Sequence, residues 1–107
     1  MSTSILERVK ALSCTDLSDA MDRLGIPCQC AGIMPIDRSF RLAGRAWTLR
    51  YGPVGQDPGT VGDYIDDLDP DTVEVLDNNG RVDATVWGDL LTSTATSRKI
   101  AGTVIDG

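Results

Sequence analysis

The sequence predicts a mixed domain of helices and strands, α+β (α/β) in class, on three observations. Apolar residues recur at helical spacing near the N-terminus, β-branched residues alternate in short runs further on, and clusters of Gly, Pro and Asn separate the two kinds of segment. The chain has 107 residues, 41% of them apolar, enough for one core of ordinary size and too few for a second independent domain.

Ile5, Leu6, Val9 and Leu12 share one helical face, so a short amphipathic helix is expected from about Thr3 to Leu12. Ser13 or Thr15 can cap a second helix, in which Leu17, Ala20, Met21 and Leu24 form a face before Gly25 and Pro27 stop it. These helices, within residues 1–25, are expected to pack as an N-terminal flap. An irregular crossing follows from Cys28 to Asp37, and an α/β core is expected over 40–107. Its first strand lies within Phe40 to Tyr51, with Ala46, Thr48 and Arg50 opposite Trp47 and Leu49. Gly52 to Gly62 reads as a loop. Its glycines match neither G-x-G-x-x-G nor G-x-x-x-x-G-K-[ST], so a nucleotide-binding loop is not expected. Thr60 to Leu68 can form a helical turn or two, and Thr72 to Leu76 has the alternation of a strand. Asp77-Asn78-Asn79-Gly80 is a turn. An extended piece is expected over Val82 to Val86, a helix over Gly88 to Arg98 and a buried strand over Gly102 to Asp106.

The formal charge of −6 and a sequence pI near 4.3 disfavour binding to nucleic-acid phosphates, so no nucleic-acid partner is expected. No apolar run approaches the ~20 residues that span a bilayer, and Met1 to Lys10 carries charges where a signal peptide is apolar. A cytoplasmic protein without a membrane partner is the expectation. Cys14, Cys28 and Cys30 are expected as reduced thiols, since Cys28 and Cys30 are too close for a usual zinc pair and no second pair follows. The chain has no histidine. Any general acid or base is therefore a carboxylate, a lysine, a tyrosine, a thiol or a metal-bound water.

The most informative stretch runs from Asp77 to Gly107. Gly88 at a helix start lets the chain turn tightly and a ligand approach the backbone, while the amides of Leu90 and Leu91 belong to the unpaired first turn. Such a start favours an anion, for example the carboxylate of a small 2-oxo acid. Asp89 beside it would repel that anion unless a cation stood nearby, which suits a divalent metal or its water shell. The plainer alternative makes Asp89 a dipole-compensating residue and Leu90, Leu91 and Ala95 an ordinary core face. The acidic run Asp63, Asp66, Asp67, Asp69 and Asp71 reads as a solvated face, and Arg45, Arg50 and Arg81 are candidates to border the site.

Gly88-Asp89-Leu90-Leu91 and Ala101-Gly-Thr-Val-Ile-Asp-Gly107, together with Leu17-Ser-Asp-Ala-Met-Asp-Arg-Leu-Gly25, Leu42-Ala-Gly-Arg-Ala46 and Gly59-Thr-Val-Gly-Asp-Tyr-Ile-Asp-Asp67, resemble the RraA-like family. That family includes metal-dependent pyruvate aldolases acting on 4-hydroxy-4-methyl-2-oxoglutarate and 4-carboxy-4-hydroxy-2-oxoadipate, with oxaloacetate decarboxylase activity, and a regulator of ribonuclease activity. The resemblance implies a β/β/α swivelling-type domain, assembled as a homotrimer or hexamer, and a lyase that uses Mg2+ or Mn2+ to release pyruvate from a small 2-oxo acid. It implies that Gly88, Leu90 and Leu91 hold the substrate carboxylate and that the catalytic Asp89 organises metal-bound water. The family's Arg-Asp pair, which grips the substrate and binds the metal directly, would fall just past Gly107. On this reading the chain is the N-terminal portion of the domain and is expected to be inactive alone. The resemblance also leaves a non-catalytic, protein-binding regulator of a ribonuclease as the alternative. One departure concerns Lys99, which stands where the family helix ends in glycine and would be strained by a left-handed backbone.

Overall fold

Capping chemistry sets the first two helices. In the computed structural model, which describes residues 4–53 and 63–107, α1 spans Ile5–Lys10 with the Ser4 hydroxyl accepting from the Glu7 amide at 3.1 Å. Leu12 falls outside it, because the chain already turns at Ala11. α2 spans Cys14–Leu24, and Ser13, rather than Thr15, is its cap. The Ser13 hydroxyl accepts from the Asp16 amide and the Asp16 carboxylate accepts from the Ser13 amide, both at 3.0 Å, which satisfies two orphan donors reciprocally. Gly25 closes the helix in the left-handed conformation, at φ 70°. Neither helix buries a side chain. Both lie in the first of two compact units, Met1–Ala43 and Gly44–Gly107.

The second unit is built on a parallel sheet of three strands, β1 (Arg45–Arg50), β2 (Thr72–Asp77) and β3 (Gly102–Asp106), ordered β1-β2-β3. Trp47, Glu74 and Thr103 stand side by side on one face, as do Leu49, Leu76 and Ile105. The alternation expected in β1 is present, with Trp47 and Leu49 half-buried while Ala46, Thr48 and Arg50 are exposed. The strand is shorter than the segment from Phe40 to Tyr51. Pairing begins only where the Arg45 amide reaches the Asp71 carbonyl, at 3.2 Å.

A 3₁₀ turn over Asp63–Asp67 precedes β2, and α3 (Asp89–Ser97) connects β2 to β3. Residues 54–62, which hold most of the expected loop, lie outside the described residues. Ile65, Leu68, Val73, Leu76, Val86 and Ala95 form the core, so β2 is its centre. β3 is half-buried rather than buried, because it is an edge of the sheet. No strand forms over Val82 to Val86. The Asn78 side-chain amide donates to the carbonyls of Arg81 and Ala84, at 3.4 and 3.0 Å, and folds this segment on itself while β1 and β3 occupy both edges of β2. The turn at Asp77 to Gly80 is as expected, with Asn79 at φ 55°, Gly80 at φ 68° and the Asp77 carboxylate accepting from the Asn79 amide.

Candidate functional site at the start of α3

The three strands run the same way, so Arg50, Asp77 and Asp106 end together at one edge of the sheet. α3 returns the chain in the opposite sense. Past its end, the Lys99 carbonyl accepts from the Asp71 amide and the Ala101 amide donates to the Thr72 carbonyl, both where the strands begin. The N-terminus of α3 is thereby directed toward the strands' carboxyl ends, the usual location of ligand sites in parallel sheets.

Gly88 is the N-cap of α3, and no side chain caps the helix in its place. Gly88, Asp89, Leu90 and Leu91 line one cleft with Thr85, Val86 and Trp87, with a volume of about 460 Å³. The Trp87 indole N–H donates to the Thr92 hydroxyl at 2.9 Å, and that hydroxyl donates to the Gly88 carbonyl at 2.8 Å, which fixes the cleft wall to the first turn. Of the amides facing out of that turn, the Leu90 N–H donates to Oδ1 of Asp89 at 2.9 Å. It is therefore not free, contrary to the sequence expectation, because the neighbouring carboxylate serves as a local acceptor. The amides of Asp89 and Leu91 have no acceptor among the described residues.

Two further expectations change. Gly88 has φ −171°, extended backbone that any residue adopts, and a Cβ there would meet nothing within 4 Å. A tight turn is therefore not its reason for being glycine. Leu90 is 81% exposed, so it belongs to the cleft rim and not to a core face; Ala95 is the buried residue of α3.

Arginines divide between two places. Arg50 forms an exposed ion pair with Asp77, Nε to Oδ2 at 3.3 Å, at the carboxyl end of the sheet. Nearby in sequence, Arg81 grips Asp83 through Nε and Nη2, at 3.0 and 2.9 Å. That pairing holds the Asp83 carboxyl below the usual carboxylate range. Arg45 instead lines a different cleft of about 390 Å³ with Trp47, Tyr64, Asp67 and Asp69, where the Trp47 and Tyr64 rings stack at 4.8 Å.

Asp63, Asp66, Asp67, Asp69 and Asp71 are all exposed, and no three His, Cys, Asp or Glu side chains converge on a metal-sized site among the described residues. Hard divalent cations take about six or more oxygen ligands. Asp89, with one oxygen engaged by the Leu90 amide, does not make such a centre by itself. The three cysteines are unpaired, and no helix among the described residues is long and apolar enough to cross a membrane.

A family model described as RraA-like, Aldolase/RraA, matches residues 14–107. The chain belongs to the RraA-like family. Protein DlpA of Legionella pneumophila is 38% identical over 108 residues, a match covering 97% of this chain and 17% of that protein. A crystal structure of an uncharacterized protein from Pseudomonas syringae pv. tomato superposes with a TM-score of 0.88 at 40% identity, covering 100% of this chain and 48% of that one. Streptomyces coelicolor RraAS2, described as an unusual member of the RNase ES inhibitor RraA protein family, shares the fold at a TM-score of 0.85 and 21% identity, over 99% of this chain and 55% of its own. The chain thus spans about half the length of these solved relatives and a smaller part of DlpA. The parallel sheet and helices agree with the α+β class and the RraA-like fold expected from the sequence.

Proposed function

We propose that the cleft at the start of α3 receives the carboxylate of a small 2-oxo acid, as part of a cytoplasmic lyase that releases pyruvate from oxaloacetate or a 4-hydroxy-2-oxo acid. The observation that carries this reading is the convergence of Gly88, Asp89, Leu90 and Leu91 on one cleft, with the Asp89 and Leu91 amides available to an anion. The positive end of the helix dipole favours a carboxylate at that point. Open space at Gly88 lets a ligand come up to the backbone.

A bare anion beside the Asp89 carboxylate would be repelled, so the reading also calls for positive charge. Mg2+ or Mn2+ is what the family resemblance implies, and it would supply Lewis-acid stabilisation of the pyruvate enolate when bound. Of the residues lining this cleft, Asp89 is the one able to reach its water shell; its direct ligands would come from elsewhere, as would the arginine that grips the substrate. Assembly as a trimer or hexamer belongs to the same proposal.

The test is pyruvate release from oxaloacetate and from a 4-hydroxy-2-oxo acid, with and without Mn2+, by a chain that includes the family's Arg-Asp pair. The expected result is metal-dependent release that falls at least tenfold in Asp89→Asn. No release with any of these substrates, or equal release by Asp89→Asn, contradicts the reading. The exposed aspartates of the 3₁₀ turn favour a second reading, a regulator that engages a basic surface of a ribonuclease. Salt-sensitive retention of a ribonuclease on the immobilised protein, without metal-dependent turnover, would support it instead.

A further inference from the structure

Glu74 lies at the middle of the central strand with 0% of its surface exposed. Its Oε2 accepts from the Thr103 hydroxyl at 2.9 Å, while Oε1 has no hydrogen-bond partner, and no cation pairs with it among the described residues. The titratable groups on which its charge acts are phenols. Tyr64 approaches from the 3₁₀ turn and Tyr51 from the end of β1. The two tyrosine hydroxyls also act on each other, and burial pushes the Tyr64 phenol up. At the end of α3, the Arg98 guanidinium donates to the Leu68 carbonyl. A carboxylate held in a core by one neutral hydroxyl is costly, and taking up a proton removes most of that cost.

We propose that Glu74 is carried in the core as the neutral acid and that its ionisation, as pH rises, loosens β3 and the 3₁₀ turn from β2, making the second unit a proton-controlled switch. The device goes beyond the 2-oxo acid reading and requires no ligand. Burial pushes the Glu74 carboxyl up, and the Thr103 hydrogen bond offsets only part of the effect. The folded chain therefore binds this proton more tightly than the unfolded chain. Its contribution to stability is complete below the ordinary glutamate value of about 4.3 and is lost as pH rises through the raised value. Between those two points the unfolding equilibrium constant grows about tenfold per pH unit from this group.

The sequence offers an internal control, because Glu7 and Glu74 are its only glutamates. Carbon-13 labelled glutamate in the full chain gives two carboxyl signals to follow by NMR from acid to alkaline pH. The exposed Glu7 provides the reference. The proposal expects Glu74 to stay protonated well past the Glu7 midpoint. It also expects the amide protection factors of Thr103, Val104 and Ile65 to fall through the Glu74 titration, and the fall to vanish in Glu74→Gln. Titration of both glutamates together would overturn it, a result that needs no variant to fold. So would an equal loss of protection in the wild-type chain and Glu74→Gln. Neither outcome bears on whether the α3 cleft binds a 2-oxo acid.

Discussion

Gly44→Ala is predicted to destabilise the second unit by about 1–3 kcal/mol, the usual cost of forcing a methyl group into a packed site. An added Cβ would collide with the Asp71 carbonyl oxygen, lie 2.9 Å from Cγ2 of Val73 and come within 3.2 Å of Cβ of Ala101. A flexible side chain could move aside, but the Asp71 peptide has little freedom to do so. Its carbonyl accepts from the Arg45 amide at 3.2 Å, and its amide donates to the Lys99 carbonyl at 3.0 Å. Displacing it therefore strains the points where β1 meets β2 and where α3 leads into β3. The smaller conformational freedom of unfolded alanine returns only about 0.4–1 kcal/mol. For a unit of this size, each kcal/mol shifts the melting temperature by roughly 4–8 °C. Thermal denaturation followed by far-UV circular dichroism should thus show a fall on the order of 4–24 °C. Gly88→Ala is the control, since its Cβ would meet nothing within 4 Å. A melting temperature for Gly44→Ala equal to that of Gly88→Ala would refute the packing argument.

Three further outcomes are expected. Lys99 sits at φ 60° at the end of α3, so Lys99→Gly should be more stable than Lys99→Ala by about 1 kcal/mol in urea denaturation, both variants lacking the charge. Leu76→Ala, at a position 1% exposed in the central strand, should cost about 2–5 kcal/mol in the same assay, and a loss under 1 kcal/mol would mean that the core is elsewhere. The hydrogen bonds from Ser13 hold the Asp16 carboxyl below its ordinary value, so their contribution is present above that value and is lost as acid protonates the folded-state group. The helical NMR shifts of α2 should consequently fade at acid pH, and Asp16→Asn should remove that pH dependence.

Local chemistry made much of the fold legible. Ser13, Gly25, the Asp77 to Gly80 turn and the alternation of Trp47 and Leu49 act within a few residues of themselves, and each element stands where those signals put it. The strain foreseen at Lys99, should a left-handed backbone be required there, is met by its positive φ. What failed depended on distant partners. Val82 to Val86 has the composition of a strand, but β2 has no edge left for it, and the side chain of Asn78 folds it elsewhere. β3 has the composition of a buried strand and occupies an edge.

At the candidate site, sequence spacing brought Gly88 to Leu91 to attention, and the four residues do share a cleft. Spacing did not disclose that Asp89 accepts from the Leu90 amide, since that bond depends on a side-chain rotamer. Glu74 was also missed as a titratable group. Within Thr72-Val-Glu-Val-Leu76 it alternates like a surface residue, and only pairing on both sides of β2 reveals that it is enclosed. A glutamate set between Val73, Val75 and Leu76 was the available signal.

The central claim is that the backbone opening α3 binds the charged end of a 2-oxo acid. Amide chemical shifts of nitrogen-15 labelled protein, recorded during titration with pyruvate in the presence and absence of Mg2+, test it most directly. The account predicts saturable shifts centred on Asp89 and Leu91, strongest with Mg2+ and weakened in Asp89→Asn. Shifts confined to other parts of the chain, or no saturable change at these amides under either condition, would contradict it.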